Sequence, residues 1–180
     1  MNNSVLLEDG RRANIVVLAP DDVDRLHNLL TKLSDDDAKW SMAPYQREWV
    51  QKWLNTPTLI QLAADHSGEL VGFVCVEEWT HPRRRGTGYL GAYVHRDYRS
   101  TGLLSEIVGR LLNRVKDRGL HKVDTEVVAE NASTISVLEE QGFQVEGRKR
   151  ECFYGADGRY YDTLIMGKVL DYSTWCPRNL

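Results

Sequence analysis

LGAYVHRDYRSTGLLSEIVGRLLNRVKDRG, residues 90 to 119, starts in a β-pattern and ends in the clearest helix of the chain. A strand is expected from about Thr87 to His95. Beyond it Leu103, Leu104, Ile107, Val108, Leu111, Leu112 and Val115 recur as adjacent pairs every four residues, a wide apolar stripe of helical period. Gly119 is placed to stop that helix. Between strand and helix lies a short loop that ends in Arg99-Ser100-Thr101-Gly102. The amides of a first helical turn lack partners within the helix, and the helix dipole adds partial positive charge there, so the entrance suits a pyrophosphate. Gly102 lets a phosphate approach the backbone, and Arg99 can add a charge. Taken alone, the same stretch also fits an ordinary helix entrance that carries a glycine.

Working outward, Asn14 to Leu18 reads as a first strand. Pro20 and Asp21 then open a helix whose apolar face is Val23, Leu26, Leu30 and Leu33. The run Asp35-Asp36-Asp37 reads as a solvated loop rather than a metal site. A second helix, Tyr45 to Leu54, carries Trp49, Val50 and Trp53. Strands are expected over Leu59 to Ala64 and Leu70 to Trp79, joined by the turn Asp65-His66-Ser67-Gly68. On the other side follow a strand from Lys122 to Val128, a helix from Ala132 to Gln141, and strands over Val145 to Tyr154 and Tyr160 to Leu170. This order predicts an α/β (α+β) fold, a mixed sheet with helices on both faces. Neither repeat nor linker interrupts the chain, so residues 1–180 are expected to form a single domain.

Composition narrows the function classes. The 180 residues carry a formal charge of −3, with 42% hydrophobic and 27% charged residues, and a pI near 6.0. Neither a nucleic-acid binder nor a membrane-surface protein is expected from that balance. The N-terminal residues lack the basic-then-apolar pattern of a signal peptide, and no stretch is long enough to span a bilayer. Cys75, Cys152 and Cys176 are too few and scattered for a disulfide framework. A reducing compartment, most simply the cytosol, is therefore expected. Five histidines show no metal-ligand spacing, so no metal is expected. Gly86-Thr87-Gly88-Tyr89-Leu90-Gly91 matches the spacing G-x-G-x-x-G but follows a loop, HPRRR, and runs into a strand. A dinucleotide fingerprint needs the reverse context. These glycines read as a hairpin turn and a close backbone approach within a strand.

The 90–119 stretch resembles the acetyl-CoA-binding motif of the GNAT superfamily of N-acetyltransferases. In that family an Arg/Gln-x-x-Gly-x-Gly/Ala loop holds the pyrophosphate. Arg99, Ser100, Thr101, Gly102, Leu103 and Leu104 match it, except that Leu104 stands where a small residue is usual. VVAENASTISVLEEQGF, residues 127 to 143, resembles the family's next strand and helix, with Asn131 at the position that contacts the pantetheine arm. Residues 146 to 168 resemble the closing hairpin of the ribosomal-protein N-terminal acetyltransferase-like branch and related small-amine acetyltransferases. The resemblance implies a mostly antiparallel sheet of about seven strands, splayed at the cofactor site. It implies acetyl-CoA as co-substrate, an amine as acceptor and frequent homodimer formation. It also implies cofactor contacts from Ala92, Tyr93, Val94, Asn131 and Thr134, with central-strand amides polarising the thioester carbonyl.

The chemistry asks for a neutral amine and a departing thiolate. Lysine-type amines have a pKa of about 10.4 and α-amines about 7.7–8.0, so an α-amine needs little help at neutral pH. Glu77 and Glu78, at the end of the strand before the basic loop, are the general-base candidates, and alternation puts only one of them on the site face. Both also fit solvated carboxylates at a strand end. Many family members carry a thiolate-protonating tyrosine late in the Asn131 helix, but here that position is Leu138. Thr134, Tyr154, Tyr160 and Tyr161 remain as hydroxyl donors. Arg83-Arg84-Arg85 reads as a basic hairpin tip that can meet an anion. Trp40, Trp49 and Trp53, with Met42 and Tyr45, either wall an acceptor pocket or belong to the core. A non-catalytic acyl-CoA-binding module is the alternative to an enzyme.

Overall fold

Eight strands hydrogen-bond into one sheet in a computed structural model that describes residues 3–32, 40 and 44–170. In chain order the elements are β1 (Ser4–Leu6), β2 (Arg12–Val16), α1 (Val23–Thr31), α2 (Arg47–Leu54), β3 (Leu59–His66) and β4 (Glu69–Glu78). Then come β5 (Thr87–Val94), α3 (Leu103–Asp117), β6 (Lys122–Val128), α4 (Ala132–Glu140), β7 (Gln144–Tyr154) and β8 (Tyr160–Val169). The strand order is β1-β2-β3-β4-β5-β6-β8-β7. Every pair is antiparallel except β5 with β6, so the sheet is mixed and mostly antiparallel.

The apolar stripe of α3 packs over the sheet. Leu103, Ile107, Val108, Leu111 and Val115 are fully buried against Val74, Val76, Leu90 and Val123, joined by Leu138 of α4. Burying each such side chain contributes about 1.5–3 kcal/mol, which fixes α3 across the middle of the sheet. Gly72 permits the close approach, because a Cβ there would come within 3.2 Å of Ile107 Cδ1. On the opposite face α1 and α2 bury Leu26, Leu29, Leu30 and Val50 against Ala63, Leu70 and Phe73. Helices thus cover both faces, α3 and α4 on one and α1 and α2 on the other.

Several sequence expectations change in detail. The sheet has eight strands rather than about seven, because Ser4–Leu6 adds a strand beside β2. The first long strand occupies Arg12–Val16, two residues earlier than read, because pairing with β1 and β3 sets its limits. The hairpin turn at Asp65 to Gly68 has Ser67 at φ 55° and Gly68 at φ 91°, with the Gly68 amide donating to Asp65 Oδ1 at 3.0 Å. The glycine-rich stretch is a turn and strand: Gly86 has φ 75°, and a Cβ on Gly88 would come within 2.5 Å of Val76 Cγ1. Leu33, the run Asp35–Asp37, Met42 and Cys176 lie outside the described residues.

Candidate active site

Pairing between β5 and β6 stops after three rungs, Thr87 with Lys122, Gly88 with Val123 and Tyr89 with Asp124. Beyond them β5 continues on β4 and β6 continues on β8, so a gap opens in the sheet. One side-chain bond bridges its apex, from Thr125 Oγ1 to the Leu90 carbonyl at 2.9 Å. Backbone groups alternate sides along a strand. The Leu90 carbonyl points toward β6, and the His95 amide donates to Val71 at 2.9 Å on the β4 side. The amides of Ala92 and Val94 therefore line the gap. Tyr93 is the exception among the expected contacts. Its amide faces β4, and its ring packs with the α1–α2 core.

The loop after β5 is held by a short 3-10 turn, Arg96–Tyr98. Ser100 then has φ 55° and Gly102 φ 78°, which turns the chain into α3. Gly102 is the N-cap, and no side chain caps the first turn. Thr101 turns its hydroxyl inward, donating to the Tyr98 carbonyl at 2.7 Å, so its backbone is what it presents at the entrance. Leu103 is buried in the core and Leu104 half-buried against it, so only their backbones serve the helix entrance. Arg99 and Ser100 are exposed beside it.

Asn131 caps α4, accepting from the Thr134 amide at 3.3 Å and from Ser133 Oγ at 3.1 Å. Its amide nitrogen still has donors to offer, and Thr134 is half-buried one turn in. Leu138 is 3% exposed, a core residue with no hydroxyl to give. Tyr154 is 64% exposed and stacks on Tyr160 at 5.1 Å. Both lie at the hairpin tip, past the rung Val128–Thr163 where β6 ends. Tyr161 turns instead to Trp40, edge-on at 4.7 Å. Trp40 therefore sits on the closing hairpin. Trp53 packs on Tyr45 at 6.1 Å, and Trp49 is 54% exposed.

Strand alternation separates the two glutamates. Gly72, Val74 and Val76 face α3, so Glu78 shares their side; Phe73 and Cys75 face the other way with Glu77. Glu77 pairs across the sheet with Tyr89, on the face toward α1 and α2. Glu77→Gln is expected to lower kcat/KM about threefold to tenfold through loss of a nearby charge, while Glu78→Gln changes it less than about twofold. Steady-state rates check this, and equal effects would refute the face assignment. Cys75 lies on Glu77's face against Gly91, and burial pushes its thiol up to about 12, so it is no nucleophile at neutral pH.

Glu126 escaped the sequence reading. It follows the last paired rung, on the same face as Asp124. Its carboxylate binds Lys149 Nζ at 2.6 Å and accepts from Thr163 Oγ1 at 2.5 Å. Burial opposes its ionisation, but the Lys149 and Thr163 bonds win and hold its pKa below the ordinary 4.5. Tyr89 adjoins it, its phenol pushed up by burial and by the Glu126 charge. The alternation of Asp124 and Glu126 with Val123, Thr125 and Val127 was the available signal. Arg84 does not sit free at the basic hairpin tip; it stacks over Trp79 at 3.9 Å. Among the described residues no three His, Cys, Asp or Glu side chains converge to hold a metal ion.

The sequence model of the acetyltransferase (GNAT) family matches residues 24–143, two thirds of the chain, which include the gap strands β5 and β6 and the glycine-entered helix α3. The chain belongs to the GNAT acetyltransferase family. It is 28% identical over 145 residues to the L-methionine sulfoximine/L-methionine sulfone acetyltransferase of Pseudomonas aeruginosa, covering 78% of this chain and 84% of that one. It is 24% identical over 127 residues to the L-amino acid N-acetyltransferase AaaT of Escherichia coli, covering 70% and 78%. A GNAT-family acetyltransferase structure from Streptococcus pneumoniae superposes with a TM-score of 0.80 at 20% identity, covering 88% and 99%. The yncA structure from Salmonella typhimurium, solved with its cofactor acetyl-CoA, superposes with a TM-score of 0.77 at 19% identity, covering 93% and 99%. This GNAT protein is an acetyl-CoA-dependent N-acetyltransferase. No helix among its described residues is long and apolar enough to cross a membrane.

Proposed function

We propose that this N-acetyltransferase acts on the α-amine of a free amino acid, with residues 1–180 working as one domain in the cytosol. The observation that carries the acceptor is the Glu126–Lys149 pair, opposite charges 2.6 Å apart beside the gap. An α-amino acid bears the same two charges on groups attached to one carbon. Its ammonium fits Glu126 and its carboxylate fits Lys149. The names of the Pseudomonas and Escherichia relatives support that class. The free thiols Cys75 and Cys152 fit a reducing compartment.

Acetyl-CoA supplies the activated thioester. The amides of Gly102, Leu103 and Leu104, with Arg99 and Ser100 beside them, hold its phosphates. Asn131, whose oxygen is spent on the Thr134 amide, offers its nitrogen to the pantetheine arm. The amides of Ala92 and Val94 hold the thioester oxygen and the negative charge that grows on it. Glu126, kept ionised by Lys149 and Thr163, orients the amine and accepts its proton directly or through one water. A carboxylate of such low pKa is a weak base, so its main work is placement. A peptide α-amine has a pKa of about 7.7–8.0. That of a free amino acid is higher, because its own carboxylate stabilises the ammonium, and pairing that carboxylate with Lys149 eases loss of the proton.

The test is thiol release with free amino acids, methionine sulfone and methionine sulfoximine among them, against their carboxyl-blocked amides and an alanine-initiated peptide. Losing one charge-assisted contact should make each amide about 10- to 100-fold poorer in kcat/KM. Equal rates for the peptide would move the acceptor to protein N-termini. The pH profile is a second check. kcat/KM should rise with pH and level off at the acceptor's own amine pKa, shifting when the acceptor is changed. An enzyme inflection near about pH 6–7 that stays fixed would refute Glu126 as described.

A further inference from the structure

The β1–β2 turn is fastened to the loop that enters α3. Glu8 donates its amide to the Thr101 carbonyl at 3.1 Å. Arg11 lies over the Tyr98 ring at 3.7 Å and donates to the Asp97 carbonyl. This places the Glu8 side chain directly against the helix entrance. A Cβ built on Gly102 would meet Glu8 Oε1 at 3.0 Å and Glu8 Cδ at 3.5 Å. Glu8 is exposed, and among the described residues its carboxylate has neither an ion pair nor a hydrogen bond. Asp9, its neighbour, is instead paired to Arg11 at 2.5 Å. No structural bond accounts for the Glu8 charge, and it stands where an anion is to bind.

We propose that Glu8 is an affinity-setting residue for the cofactor step, a fixed negative charge that weakens the hold of the α3 entrance on the phosphates and so hastens release of CoA. This rests on the reading of Gly102 as the pyrophosphate site. Repulsion between Glu8 and the phosphates acts across solvent and is screened by salt, so it tunes binding without preventing it. The carboxylate also cancels part of the dipole field at the entrance.

The experiment compares wild type, Glu8→Gln and Glu8→Lys by calorimetric titration with CoA and with acetyl-pantetheine, which has the arm but no pyrophosphate or adenosine. Glu8→Gln preserves size and the backbone bond to Thr101. The expected result is CoA binding about threefold to tenfold tighter in Glu8→Gln and tighter again in Glu8→Lys, with the gain shrinking in high salt. Acetyl-pantetheine binding should stay the same in all three. Unchanged or weaker CoA binding in the variants would overturn the proposal, as would an equal gain for acetyl-pantetheine. The pyrophosphate reading has its own readout: wild type binding CoA no better than acetyl-pantetheine would overturn that reading and the Glu8 proposal with it.

Discussion

Replacing Gly102 by glutamate should weaken acetyl-CoA binding more than about 100-fold, a loss on the order of 2.7 kcal/mol. Three effects add at this position. Gly102 has φ 78°, where a residue with a Cβ costs about 1–2 kcal/mol. The new side chain starts 3.0 Å from Glu8 Oε1, so two carboxylates crowd one helix entrance. That pair of charges would then repel the phosphates proposed to bind at the entrance. Acetyl-pantetheine, lacking phosphates, separates these effects: its binding should fall far less than that of acetyl-CoA. The melting temperature reports how much of the change is strain in the fold. Binding of acetyl-CoA retained within about threefold would show that the phosphates sit elsewhere.

Glu126→Gln should lower kcat/KM about 100-fold while leaving acetyl-CoA affinity unchanged, if the carboxylate acts on the acceptor as proposed. The variant keeps an acceptor for the Thr163 hydroxyl and loses the charge that binds Lys149. Since Lys149 and Thr163 hold the carboxyl below its ordinary 4.5, Glu126 stays ionised through the neutral range. The defect should therefore be of similar size from about pH 6 to pH 9. The same linkage fixes the sign of its effect on stability. A depressed folded pKa contributes stability that is full above the unfolded value and is lost as pH falls through the folded one. Wild type and variant should thus differ in melting temperature at neutral pH and converge in acid. Full activity in Glu126→Gln would return the role to Glu77, on the same face two strands away.

How much of this was legible before any coordinates depended on how local each signal was. The α3 stripe, the strand Lys122–Val128 and the turn at Asp65–Gly68 are set by neighbours in sequence, and they appear where the periodicity and turn chemistry put them. The strand Ser4–Leu6 was missed because three residues show no alternation; only pairing with Arg12–Asn14 makes them a strand. Within the loop, Gly102 stood out by type, but the inward turn of the Thr101 hydroxyl depends on the Tyr98 carbonyl. Tyr93 was grouped with Ala92 and Val94 because sequence does not say which edge of a strand faces a partner. Glu126 was overlooked for the same reason. Its significance comes from the rung at which β5 and β6 separate and from Lys149 and Thr163 on two later strands.

The parted strands give this sheet an edge in its middle. Ala92 and Val94 lie four strands in from one side, yet among the described residues they have no strand partner on the β6 side. Proteins usually blunt such edges with charge, proline or a covering segment, because any extended chain can dock there. Among the described residues no strand pairs with β5 on the β6 side beyond Tyr89. With acetyl-CoA bound as proposed, the amides of its pantetheine arm would meet this interior edge, and the cofactor would serve in each catalytic cycle as a strand that comes and goes.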